Sequence, residues 1–229
     1  MSNKFLPGKI IVISSPSGVG KTSICKELLT ERRKAEGWKF SISYTTRERR
    51  PTETDGKEYF FVSQEKFDEL SQKDFFAEHF KVHLYHYGTP RPKIEETINN
   101  GGLLLLDVDL QGALEIKSDY PDAVTFFILP PSITAWGNRL TKRGTETGEQ
   151  LKVRFENARD EVKSYHKFEH LIINDQLNLA IDQILCIITG SRDAGNSVSS
   201  KEVEAIVKPI INLSAEQIDE IIGCNDENK

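Results

Sequence analysis

Lys9-Ile10-Ile11-Val12-Ile13-Ser14-Ser15-Pro16-Ser17-Gly18-Val19-Gly20-Lys21-Thr22 is the stretch on which the fold turns. Its first half is apolar and β-branched without alternation, the pattern of a strand covered on both faces. Its second half meets the phosphate-loop pattern GxxxxGK[ST] at every fixed position except the first, where Ser15 replaces Gly. Gly18 and Gly20 permit backbone angles that turn successive N–H groups around a phosphate, and a helix starting near Lys21 adds its positive N-terminal end. Lys21 brings a mobile positive charge to the β- and γ-phosphates, and the Thr22 hydroxyl is placed for Mg²⁺. The alternative is a glycine-rich turn with a chance lysine. A buried strand before it and a helix after it are the context the motif demands, so Ser15, Pro16, Ser17, Gly18, Val19, Gly20, Lys21 and Thr22 are expected to bind a nucleoside triphosphate.

Outward from the loop, buried runs alternate with helix-length amphipathic stretches. Strands are expected at Leu103–Val108, Ala123–Leu129 and Leu171–Asn174, with short ones at Phe40–Tyr44 and Tyr59–Val62. Helices are expected at 21–34, 64–72, 92–100, 111–118, from Ser132 toward Arg143, 149–165 and 177–189. This alternation implies an α/β fold with a parallel sheet covered on both faces. Residues 38–89, more polar and aromatic, read as an inserted lobe, and 139–154, with its arginines and Gly-Thr-Glu-Thr-Gly, reads as a mobile flap.

The chain of 229 residues carries 30 Lys+Arg against 35 Asp+Glu, a net charge of −5. All of it belongs to the tail, where residues 193–229 hold eight acids and three bases; the body balances at 27 against 27. General nucleic-acid binding is not expected of such a chain. The longest apolar runs fall far short of the ~20 residues of a membrane span, and no signal peptide is expected. Cys25, Cys186 and Cys224 are scattered and odd in number, which fits a reducing, cytoplasmic setting better than a disulfide framework. In the tail, Ser199-x-x-Glu202 and Ser214-x-x-Gln217 are capping boxes for two helices, with Pro209 expected between them and Gly223 expected to end the second.

The chain has no guanine-reading Asn-Lys-x-Asp of a GTPase. A small phosphate-loop protein with a polar lobe and an arginine-bearing flap suggests a kinase for a small phosphorylated acceptor. The lobe holds the run Thr45-Thr46-Arg47-Glu48-Arg49-Arg50-Pro51-Thr52-Glu53-Thr54-Asp55-Gly56-Lys57-Glu58-Tyr59-Phe60-Phe61-Val62. It closely resembles the guanylate kinase signature T-[ST]-R-x₂-[KR]-x₂-[DE]-x₂-G-x₂-Y-x-[FY]-hydrophobic. Further matches are Glu78, Tyr87-Gly88-Thr89, Asp107-Val108-Asp109-Leu110-Gln111-Gly112, Arg139, Arg143-Gly144, Arg154 and Asn174-Asp175. The resemblance spans about residues 8–190 and stops at the tail.

It implies a P-loop NTPase three-layer fold with a central parallel sheet (8–37 and 90–190), an inserted mixed α/β GMP-binding lobe (38–89), a helical lid (139–154) and an acidic helical tail (191–229). It further implies reversible transfer of the ATP γ-phosphoryl group to GMP, with Mg²⁺ entering as MgATP and no tightly bound organic cofactor. Arg47 and Arg50, three apart, can converge on one phosphate; by the resemblance they hold the GMP phosphate with Tyr59 and Tyr87, and Glu53 is counted with this group. Guanine presents N1–H and N2–H to a carboxylate and O6 to a hydroxyl. The resemblance assigns the first role to Glu78 and the second to Ser43 and Thr89, a set that rejects adenine. Asp107 takes the position of a Walker-B aspartate serving Mg²⁺ with Thr22, and Asp109 lies on the same strand face toward the acceptor. Arg139, Arg143 and Arg154 resemble lid arginines that stabilise charge during transfer, and Asn174 resembles a residue near the donor adenine.

His79, His83 and His86 are read as ordinary polar positions rather than zinc ligands, since no cysteine or acid pattern accompanies them. His83-Leu84-Tyr85-His86 departs from the His-Gly-Asn-Tyr usual in the family. Two rivals are a phosphate-loop kinase for a sugar phosphate and a silent guanylate-kinase-like binding module; the base-reading set speaks against the first and the intact loop against the second. Every recognised motif precedes the tail, so the tail is expected to be dispensable for turnover.

Overall fold

Ile11, Val12 and Ile13 are wholly buried, as a strand apolar on both faces requires. The computed structural model describes residues 8–82, 84–141, 148–191 and 198–226. The elements begin with β1 (Lys9–Ser14), α1 (Lys21–Leu28), α2 (Glu31–Ala35), β2 (Trp38–Phe40), β3 (Tyr44–Thr45), β4 (Phe60–Phe61) and α3 (Gln64–Gln72). Next come β5 (Phe76–Val82), β6 (Tyr85–Pro90), α4 (Arg91–Asn99), β7 (Leu103–Asp107), α5 (Leu110–Asp119) and β8 (Val124–Leu129). The chain continues through α6 (Ile133–Thr141), α7 (Gly148–Val162), β9 (His170–Ile173), α8 (Leu177–Thr189), α9 (Ser200–Ile211) and α10 (Ala215–Asp226). β1 is the middle strand of a five-stranded parallel sheet of order β2-β7-β1-β8-β9. No described helix is long and apolar enough to cross a membrane.

The chain divides into two compact units, one from residues up to 12 with 29–124, the other from 13–28 with 125 onward. These units cut across the boundaries expected from the sequence. Of the lobe expected over 38–89, Trp38–Phe40 joins the five-stranded sheet instead, and the strands from Tyr44 to Pro90 form a separate four-stranded sheet, β4-β3-β6-β5, inside the first unit; the tail helices belong to the second.

In the first unit β2 pairs in parallel with β7, Trp38 facing Leu103 and Phe40 facing Leu105. The β5–β6 hairpin was not anticipated. Phe76, Ala77 and Glu78 are all buried, because the register shifts between Phe76 and Glu78 and breaks the polar–apolar alternation that marks a strand. The lobe core is aromatic, with Phe67 stacked on Phe76 at 4.5 Å between ring centroids.

The helix expected over 21–34 is two helices. Thr30 restarts the chain: its hydroxyl accepts from the Arg33 N–H at 3.4 Å and its carbonyl from Lys34. The strand expected over 40–44 likewise splits between β2 and β3. Pro209 lies inside α9, not between the tail helices, and α10 runs past Gly223 to Asp226. The tail's break falls instead at Leu213–Ser214, where Ser214 and Gln217 exchange the two hydrogen bonds of a capping box. Ser199 and Glu202 form the other box as expected. Ser132 also caps as expected, accepting from the Ala135 N–H at 3.1 Å.

Candidate active site

The phosphate loop lies in the second unit. Gly18 has φ +85° and Gly20 φ +99°, angles that L side chains rarely adopt. A Cβ on Gly20 would also stand 2.7 Å from Asn174 Nδ2, and one on Gly18 2.7 Å from a Leu140 methyl. The loop's carbonyls are held by side chains. Trp136 Nε1 donates to Ser17 O at 2.9 Å, and Asn174 Nδ2 donates to Val19 O at 2.7 Å. Arg139 donates to Asn174 O at 2.9 Å and to Val19 O at 3.4 Å. Carbonyls fixed in this way leave the N–H side of the loop and the N-terminus of α1 for an anion. Gly20 O closes the first turn of that helix, accepting from Ser23 and Ile24. Beside the loop is a hollow of about 310 Å³ lined by Gly18, Gly20, Ser23, Arg139, Asn174 and Leu177.

The structure brings together Arg139, Arg154 and Asn174 of the expected donor residues. Arg154 donates to Ser17 Oγ at 2.7 Å. Asn174, 6% exposed, braces the loop through Val19. Arg143 lies outside the described residues. Sequence reasoning missed Trp136, because an indole in an apolar helix stripe reads as core; its ring is indeed buried, against Phe155 at 5.1 Å.

The residues expected to bind the acceptor lie in the first unit, in two clusters. In one, Arg47 donates to Glu53 Oε1 at 2.7 Å and to Glu48 O at 2.8 Å. Its guanidinium sits 5.6 Å from the ring centroids of both Tyr59 and Phe61, and the Tyr59 and Tyr87 rings are 5.7 Å apart. The second Glu53 oxygen accepts from the Arg50 N–H at 2.9 Å. Glu53, expected as a GMP ligand, thus has both oxygens committed inside the turn and orients Arg47. The hydrogen bond with Arg47 holds the Glu53 carboxyl below its ordinary value, and the same bond raises Arg47.

In the other cluster, Glu78 and Thr89 face each other across β5 and β6, both buried, and the Thr89 hydroxyl donates to the Glu78 carboxylate. Burial first, then the charges of Asp109 and Glu115, push the Glu78 carboxyl up to about 7, against the opposing effect of the Thr89 hydrogen bond. Asp109 caps α5, accepting from the Gly112 N–H at 2.8 Å. Gly112 is pressed on Glu78: a Cβ there would lie 3.1 Å from the carboxyl carbon. Ser43 precedes β3, whose Tyr44 is paired with Gly88, so it falls in line with Thr89 across the β3–β6 pair. Asp107 ends β7, half-buried. An acid at this strand end can serve as a helix cap as well as a ligand, and Asp109 takes the cap; Glu115 was not foreseen, since an acid on a helix face carries no sequence signal of its own. His83 lies outside the described residues, and His79 contacts Ser71 Oγ at 3.1 Å. Among the described residues no group of His, Cys, Asp or Glu has the makings of a metal site.

A parallel sheet whose central strand runs through a glycine-bent phosphate loop into a helix defines a phosphate-loop nucleotide-binding protein. A family model described as guanylate kinase matches residues 7–190. The guanylate kinase of Clostridium tetani is 42% identical over 185 residues, covering 81% of this chain and 87% of its own. That of Thermotoga maritima is 40% identical over 187 residues, covering 82% and 89%. A crystal structure of guanylate kinase from Anaplasma phagocytophilum aligns with TM-score 0.66 and 29% identity over 88% of this chain and 96% of that one. The chain belongs to the guanylate kinase family.

Proposed function

We propose that this chain transfers the γ-phosphoryl group of ATP to GMP, and to dGMP, giving ADP and GDP in purine nucleotide metabolism. The observation that carries this reading is the buried Glu78–Thr89 pair in the acceptor lobe. A buried carboxylate facing a base accepts from N1–H and N2–H of guanine and meets a lone pair at N1 of adenine. Leaving such a group unmatched is what makes a polar site selective.

The loop N–H groups, the N-terminus of α1 and Lys21 bind the donor phosphates, with Asn174 and Trp136 fixing the loop from its carbonyl side. Arg139, Arg143 and Arg154 neutralise charge as the phosphoryl group moves. Arg47, set by Glu53, holds the GMP phosphate with Arg50, Tyr59 and Tyr87. Because the Thr89 proton is directed to Glu78, Ser43 is the donor left for guanine O6, and Thr89 orients the carboxylate. Asp109 caps the helix that backs Glu78. The Thr22 hydroxyl and the Asp107 carboxylate are each hard oxygen donors of the kind that would suit Mg²⁺ and its waters, and an ion held by such groups would neutralise phosphate charge. A cytoplasmic setting completes the reading.

A coupled ADP-release assay against GMP, dGMP, AMP, UMP and ribose phosphates tests this. GMP is expected to turn over at least ~100-fold more efficiently than AMP. Absence of GMP turnover would sink the proposal and revive the silent-module reading.

A further inference from the structure

The two tail helices lie beyond residue 190, where the family match ends. They are not loose. Val203, Val207, Ile210, Leu213, Ile218 and Ile222 are buried, and α9 and α10 both pack against α6 and α7. Those are the helices that meet the phosphate loop. From α6, Trp136 and Arg139 donate to loop carbonyls and Leu140 packs on Gly18; from α7, Arg154 reaches Ser17. Next to these, α6 presents Gly137, buried, where an added Cβ would lie 2.6 Å from Ile221 Cγ2 of α10. Ile221 is β-branched and stiff, so it cannot swing aside cheaply. α7 is tied to the same hairpin by Lys152–Asp219 at 2.7 Å and by Arg159 donating to Leu213 O at 3.1 Å.

We infer that the tail hairpin is a positioning element of the donor site: the Gly137–Ile221 contact sets how closely α6 lies on the phosphate loop. Gly137 is the neighbour of Trp136 and two residues from Arg139. α6 therefore cannot retreat from Ile221 without moving both donors relative to the Ser17 and Val19 carbonyls. The expectation that the tail is dispensable counts motifs and leaves out this packing. The inference rests on reading the loop as the ATP site.

The test uses the full chain and a size exchange. Gly137→Ala raises helix propensity, so weaker ATP binding by this variant does not come from a weakened helix. Calorimetric titration of MgATP is expected to show affinity lowered about tenfold, while GMP affinity stays within about twofold. Adding Ile221→Ala returns the space, and the double variant is expected to recover ATP affinity to within about threefold of the parent. Should Gly137→Ala not fold, Ile221→Ala alone removes the stop and is expected to weaken ATP about threefold with GMP unchanged. ATP affinity unmoved by Gly137→Ala, failure of the double variant to recover it, or equal losses for ATP and GMP would overturn the inference. The titration needs no turnover, so its result is independent of whether GMP is the acceptor; a parent chain that binds no ATP would fail the functional reading instead.

Discussion

The Thr89 hydroxyl donates to the Glu78 carboxylate across the β5–β6 pair, with Thr89 wholly buried and Glu78 6% exposed. A carboxylate in that position is selective for what it binds and costly to keep charged.

The Glu78 carboxyl titrates at about 7, raised from an ordinary value of 4.5. Guanine N1–H and N2–H need the ionised form, so GMP binding improves as pH rises through 7. KM for GMP is expected to fall about tenfold between pH 6 and pH 8 while KM for ATP stays flat. For stability the sign is opposite: the folded state holds a proton that the unfolded state releases. The contribution is full below pH 4.5 and is lost as pH rises toward 7 and beyond. Glu78→Gln is expected to flatten both profiles and to lose preference for GMP over AMP. Steady-state kinetics and urea unfolding across pH check this.

Thr89→Val removes the one hydroxyl that favours the ionised Glu78. The midpoint of the GMP pH profile is expected to move to higher pH. Ser43→Ala, by contrast, is expected to raise KM for GMP about tenfold without moving that midpoint, because on the proposed reading Ser43 serves O6 and not the carboxylate. Equal midpoint shifts in the two variants would contradict this division of roles.

Arg47 is held by Glu53 at 2.7 Å. Arg47→Ala is expected to raise KM for GMP about 30- to 100-fold with ATP affinity unchanged. Glu53→Gln leaves the guanidinium in place but unlocks it, and a smaller rise, about fivefold, is expected. Unchanged GMP kinetics in Arg47→Ala would show that the acceptor phosphate sits elsewhere.

Asn174 donates to Val19 O from a buried position. Asn174→Ala leaves that carbonyl short of a partner, at a cost of about 1–3 kcal/mol in unfolding free energy, and loosens the loop. Asn174→Asp is expected to be no better, since an oxygen then faces the carbonyl. Thermal unfolding and ATP titration together distinguish this bracing role from contact with the base alone, which would leave stability intact.

Covalent pattern alone determined the phosphate loop, the buried strand before it, the α/β class and the family signature from Thr45 to Val62. Those depend on local rules: which residues bend a loop, which bury a strand on both faces, which spacing repeats a family's signature. Both capping boxes of the tail were legible for the same reason. Only the tertiary structure decided that residues 76–90 pair as a hairpin, because a register shift hides the alternation and a buried acid sits where an apolar residue is expected. It also decided that Glu53 orients Arg47, that Trp136 and Asn174 hold the loop from its carbonyl side, and that the tail packs on α6 and α7, which carry Trp136 and Arg154 to the loop. Each of these joins residues distant along the chain. Their energies come from burial and from hydrogen bonds closed only on folding, for which single positions carry no mark.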